Sequence, residues 1–187
     1  LENVGRSPAR AEPPKLAWLG QHYIKALPSD ELFTRVRPYL EGVKGAAVED
    51  DKSLRALLEL LRERSRTLVE MAELARWNLC EDLEYDEKAV KKHLRPAALP
   101  VLQALQSAME GLPEWALVDL EKAFEAVAAE LGDLKLGKLA QPVRVAITGG
   151  PNSPGIFETL EILGRERTLA RIDKAIEIVE ARVESAD

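Results

Sequence analysis

Between Leu117 and Leu131 the apolar residues Leu117, Leu120, Phe124, Val127 and Leu131 recur at steps of three and four. That spacing tracks the 3.6-residue turn of an α-helix and cannot line one face of a strand. The same step runs through most of the chain. Leu54, Leu57, Leu58 and Leu61 form one stripe, with Arg55, Glu59, Arg62 and Glu63 mainly opposite. Leu169, Ile172, Ile176, Val179 and Val183 form another. The pattern predicts helices over 15–26, 29–39, 51–66, 67–79, 86–94, 100–111, 113–131, 136–147, 156–163 and 169–183. Ser29 and Asp86 are the expected caps of their helices, and Pro113 the expected start of the strongest. No segment alternates with period two, so the expected fold class is all-α. Aromatic residues are 5% of the chain, which leaves Leu, Ala, Val and Ile to build its core.

The breaks divide the chain. Residues 1–14, with Pro8, Pro13 and Pro14, read as an irregular lead-in. Residues 41–51 read as a loop, 82–86 as an acidic junction and 149–155 as a tight Gly/Pro turn. The expected organisation is a short helical linker segment at 1–30, then two consecutive small helical bundles at 31–84 and 85–187. The 187-residue length suits that division.

Several function classes are disfavoured. Apolar runs span only a few residues, too short for a transmembrane helix. The start, Leu1-Glu2-Asn3-Val4, has neither Met nor a signal-peptide core and reads as cut from something longer. One cysteine, Cys80, forbids an internal disulfide and fits a reducing cytoplasm. His22 and His93, far apart beside one cysteine, are too few for a zinc site. No Walker loop, dinucleotide fingerprint or nucleophile elbow occurs. The net charge of −6 argues against a general nucleic-acid binder, yet permits a reader with a few placed Arg and Lys residues. Chemistry alone therefore gives a non-catalytic helical module, with a helical protein-interaction or scaffold role as one reading.

Two stretches point further. The first is Ser7-Pro8-Ala9-Arg10, followed by Lys15-Leu16, Trp18-Leu19 and Tyr23-Ile24. The second runs Leu136-Gly137, Ala140-Gln141-Pro142-Val143-Arg144-Val145-Ala146-Ile147-Thr148-Gly149, Ser153-Pro154-Gly155-Ile156-Phe157-Glu158 and Leu163-Gly164-Arg165-Glu166-Arg167. Together they resemble bacterial-type glutamyl-tRNA synthetases over their C-terminal, anticodon-binding region, and the 54–68 segment fits as well. The departures are Gly20 where the family usually has Asn, and Ala11-Glu12 where it has an aromatic–acid pair. The family's ATP-binding signatures, His-Ile-Gly-His and Lys-Met-Ser-Lys-Ser, are absent.

The resemblance implies a cytoplasmic, monomeric chain that binds tRNA(Glu) and works with the missing catalytic domain of the same polypeptide. It implies no catalytic residue, no metal and no cofactor here, since ATP and Mg belong to the parent's catalytic half. A glutamate-tRNA ligase activity would reside in the parent, and this chain alone would be inactive. Arg64 falls at the third-anticodon-base reader, where Arg goes with preferring tRNA(Glu) over tRNA(Gln). Arg144 falls at a second reader, and Ser153, Pro154 and Ile156 at the loop against the anticodon bases. Lys91, Lys92, Arg95, Lys135 and Lys138 are candidate phosphate contacts, which give affinity without sequence choice. Trp18, Trp77 and Trp115 are expected in the core or at a domain seam, Met71 and Met109 in the core, and Cys80 buried.

Overall fold

A computed structural model describes residues 13–184, so the Ser7-Pro8-Ala9-Arg10 stretch lies outside the described residues. Ten α-helices follow in order: α1 (Pro13–Ala26), α2 (Ser29–Glu41), α3 (Lys52–Leu61), α4 (Leu68–Leu79), α5 (Glu87–His93), α6 (Leu99–Glu110), α7 (Leu117–Glu130), α8 (Leu136–Thr148), α9 (Ile156–Leu163) and α10 (Arg165–Glu184). A 3-10 turn, Pro96–Ala98, precedes α6. Among the described residues the only β pairing is an isolated antiparallel bridge between Ala46 and Cys80. The all-α expectation therefore holds.

The core is aliphatic. Leu54, Leu57, Leu58 and Leu61 of α3 are buried against α2 and α4, and α3 also meets α9. Leu102, Leu105 and Met109 of α6, Leu120, Phe124 and Val127 of α7, and Ile172, Ala175 and Val179 of α10 are buried too. Buried residues from Ile24 to Val179 join in one cluster. Met71, Met109 and Trp77 are inside it, and Cys80 is buried with a free thiol.

Five helix limits differ from the periodicity reading, each for a local reason. Pro13 and Pro14 open α1 rather than preceding it, because proline's fixed φ suits a first turn. Ser29 is the first helical residue of α2, and Pro28 takes the cap position. The stretch 51–79 is two helices broken at 62–67. Asp51 caps the first by accepting from the Leu54 N–H at 2.7 Å. Thr67 caps the second by accepting from the Glu70 N–H at 3.0 Å, while Glu70 accepts from the Arg66 N–H at 2.8 Å. That reciprocal pair resembles a capping box. Pro113 does not open α7: residues 113–116 stay irregular because Trp115 folds back and donates its indole N–H to the Leu160 carbonyl at 2.8 Å. α10 begins at Arg165, since Gly164 at φ 80° reverses the chain in one residue.

Candidate nucleic-acid interface

The break at 62–67 removes Arg64 from the helix face where periodicity put it and places it in an exposed turn. The turn is held from several sides. Arg64 donates its backbone N–H to the Leu61 carbonyl at 3.0 Å. Arg62 forks onto Glu59 through Nε and Nη2, and its Nη1 donates to the Ile24 and Leu27 carbonyls at 2.7 and 2.6 Å. The Ile24 carbonyl lies in the last turn of α1 and the Leu27 carbonyl just past it, so Arg62 satisfies acceptors at that helix end. Gln21 donates to the Glu63 carbonyl at 3.0 Å, and Lys25 pairs with Glu63.

Gly20 explains how α1 comes so close. A Cβ built there would lie 2.5 Å from the Arg66 carbonyl oxygen. The departure from Asn at this position thus coincides with a backbone contact that only glycine allows. Gly20→Ala should force α1 off the turn at a cost of about 1–3 kcal/mol, as for overpacking elsewhere. Hydrogen exchange should speed up across 15–26 and 62–67 while α6 and α10 stay protected.

Arg144 sits half-buried on α8 and ties that helix to the loop after it. Its Nη1 donates to the Ser153 hydroxyl and to the Pro154 carbonyl, the latter at 2.6 Å. Ser153 also meets the Thr159 hydroxyl at 3.0 Å, and Thr159 donates to the Gly155 carbonyl at 2.8 Å. Thr148 bridges the Arg144 and Gly150 carbonyls. Gly149, at φ 76°, terminates α8 in the left-handed region and leaves no room for a Cβ beneath the Glu84 carbonyl. The loop at 149–155 is therefore a built object. Pro154 and Ile156 are buried within it, so Pro154 offers its carbonyl to Arg144 and Ile156 fills the core.

Arg64 and Arg144, eighty positions apart, share one electrostatic neighbourhood. Burial holds the Arg144 guanidinium below its ordinary range, and the positive charge of Arg64 presses it the same way, with Glu158 opposing. The packing of α3 on α9 and α4 on α8 brings them together. Ser53 of α3 also donates to the Ile162 carbonyl of α9 at 2.6 Å.

A seam that the periodicity did not suggest fixes this arrangement. Arg171 of α10 is 5% exposed. It donates to the Trp77 carbonyl at 2.8 Å, the Ile147 carbonyl at 2.7 Å and the Cys80 carbonyl at 2.7 Å. Burial pushes its pKa down to about 10, and Arg167 beside it adds to the effect, so it stays charged at neutral pH. Arg167 donates to the Asn78 and Cys80 carbonyls. Tyr85 donates to the Ala146 carbonyl at 3.0 Å, and the Asp86 N–H to the Gly149 carbonyl at 2.8 Å. One cation thus joins the ends of α4 and α8, the two helices next to Arg64 and Arg144.

The other basic residues lie at the far end of α8. Lys91 and Lys92 are exposed on the last turn of α5, Arg95 just beyond it, and Lys135 and Lys138 at the start of α8. Trp115 is partly buried, whereas Trp18 is 65% exposed and stacks on His22 at 5.9 Å. Trp18 is therefore outside the core of the described residues. Leu16, Tyr23, Leu27 and Leu68 line an apolar cleft of about 490 Å³ beside it. Among the described residues no helix is long and apolar enough to cross a membrane, and no cluster of three metal-ligating side chains occurs.

The pattern of the family described as "Anticodon binding domain" matches residues 31–176. The glutamate--tRNA ligase of Thermodesulfovibrio yellowstonii is 41% identical over 181 residues, which is 95% of this chain and 38% of that protein. That of Syntrophobacter fumaroxidans is 38% identical over 180 residues, 96% of this chain and 38% of that protein. A solved glutamate tRNA ligase from Elizabethkingia meningosepticum, in complex with its amino acid, shares the fold with a TM-score of 0.81 at 24% identity, covering 94% of this chain and 34% of that one. The chain spans about 38% of the length of the curated relatives it matches.

Proposed function

The chain belongs to the anticodon-binding domain family, and from that premise we propose that it holds the anticodon loop of tRNA(Glu) as part of a glutamate-tRNA ligase. One observation carries the proposal: Arg64 and Arg144 stand in the same electrostatic neighbourhood beside a loop that Arg144 itself secures. Unstacked RNA bases are read at their edges and faces, and a guanidinium suits this because its donors form a rigid planar fork. Arg144 uses Nη1 on the loop, which leaves Nε and Nη2 as donors toward a base. Arg64, exposed and in no ion pair among the described residues, offers its whole fork from a turn braced by α1 and Arg62.

The ligase activity, with ATP and Mg, is assigned to the part of the relatives' length that this chain does not span. The exposed apolar face of α1 favours a protein contact as well, and its proposed occupant is that same catalytic part of the polypeptide. A scaffold role independent of RNA would predict that this face is used while tRNA binding is absent.

Arg64 is the proposed discriminator between tRNA(Glu) and tRNA(Gln). Arg64→Gln in the full-length ligase should reduce that preference by about 5–150-fold, the 1–3 kcal/mol expected of a bidentate base contact. Charging assays with both tRNAs read the ratio directly, and an unchanged preference contradicts the assignment.

A further inference from the structure

We infer that the cleft between α5 and the start of α8 seats a backbone phosphodiester of the same bound RNA strand, a site that rests on the anticodon-reading proposal. Lys92, His93, Arg95, Gly137, Lys138 and Gln141 line it, around a volume of about 460 Å³.

The lining contains no carboxylate, although the chain carries a net charge of −6. Five arginines outside the cleft, Arg35, Arg37, Arg55, Arg62 and Arg76, pair with Asp or Glu. Among the described residues Lys92, Arg95 and Lys138 have no such partner. The resulting field acts on His93, whose imidazole is held below its ordinary value first by burial and then by Lys92 and Arg95. Three unneutralised cations around a concave wall suit a phosphate, which carries charge in a compact, multiply accepting group.

Gly137 adds a steric argument. Gly137 is the second residue of α8. Nothing in the protein needs its missing side chain, since a Cβ there would meet no atom within 4 Å. It leaves open space on the cleft wall, where an RNA backbone can lie close to α8. The α8 N-terminus also has no side-chain cap, so its first N–H groups are not met by one.

Two residues of the cleft lining share a face of α8 with Arg144. Gly137, Gln141, Arg144 and Thr148 recur at steps of four, three and four, which puts them along one face of α8. Gly137 and Arg144 are about 10 Å apart along the helix axis. One RNA strand can therefore place a base at Arg144 and a neighbouring phosphate in the cleft.

The test is titration of this chain with tRNA(Glu) transcript across a salt series, beside a transcript with altered anticodon bases. Arg95→Ala with Lys138→Ala should weaken binding about tenfold or more at low salt. It should also flatten the log–log salt dependence by about 1–2, since each lost phosphate contact removes roughly 0.7–0.9. The preference for the correct anticodon should stay. Gly137→Glu should weaken binding similarly, and Gly137→Ala measurably but less. Lys122→Ala with Lys174→Ala, which removes two cations outside the cleft, should change the slope far less. If the Arg95/Lys138 variant matches the Lys122/Lys174 control while anticodon preference persists, the cleft inference is overturned and the reading stands. If the unaltered chain shows no anticodon preference, the reading itself fails and the inference falls with it.

Discussion

Replacing Arg144 with alanine is expected to weaken binding of cognate tRNA(Glu) by about 10–100-fold, roughly 1.4–2.8 kcal/mol, and to weaken binding of an anticodon-altered transcript far less. The two responses differ because Arg144 does two things. Its free donors are the proposed base contact, which only the cognate anticodon uses. Its Nη1 holds Ser153 and the Pro154 carbonyl, so its removal also loosens the 149–155 loop. Arg144→Lys tests the planar fork apart from the charge. A lysine keeps the charge but has no planar fork, so it should retain general, salt-sensitive affinity and lose most of the preference. Paired titrations of both variants check this. Equal loss on cognate and altered transcripts would mean that Arg144 supplies only charge.

Replacing Arg171 with methionine is expected to cost about 3–5 kcal/mol of folding stability. The Trp77, Ile147 and Cys80 carbonyls would each lose their guanidinium donor in a buried place, at about 1–3 kcal/mol per unsatisfied group before relaxation. Methionine restores some apolar packing, which keeps the total below the simple sum. For a chain of this size the loss corresponds to a fall in Tm of about 6–20 °C. Lysine cannot reach three carbonyls at once and should rescue little. Urea denaturation gives the free energy directly, and a change under about 1 kcal/mol would show that Arg171 is dispensable to the seam. Because Arg171 joins the ends of α4 and α8, the destabilised variant should also lose anticodon preference at temperatures where it is still folded.

The aliphatic periodicity made most of the fold legible. Leu54, Leu57, Leu58 and Leu61 mark α3, and Leu120, Phe124 and Val127 mark α7, because burying one stripe is the same constraint that spaces it. Helix limits were less legible where a polar side chain could serve two states. Thr67 reads equally as a helical residue and as a cap, and only the Glu70 contacts decide it. Trp115 sits beside an apolar run, yet its indole finds a partner 45 positions away, which keeps 113–116 irregular.

The candidate site divides the same way. Arg64 and Arg144 stand out through their surrounding motifs, and the fold brings them together. Arg171 carried no local signal. Its acceptors are main-chain carbonyls 24 to 94 positions away, and carbonyls are identical at every residue. Gly20 stood out only as a departure from Asn and Gly137 only as part of a motif, since what lies beside each, the Arg66 carbonyl at one and open space at the other, depends on the fold rather than on neighbours in sequence.

This helical chain is proposed to read an anticodon. The most direct measurement is the affinity of the chain for tRNA(Glu) transcript at low and moderate salt, against transcripts with single changes at each anticodon base and a non-cognate tRNA. Binding that weakens with salt and drops by about fivefold or more per altered base, as a lost base contact of about 1 kcal/mol or more requires, is the predicted result. Affinity indifferent to the anticodon bases across the whole salt range would contradict it.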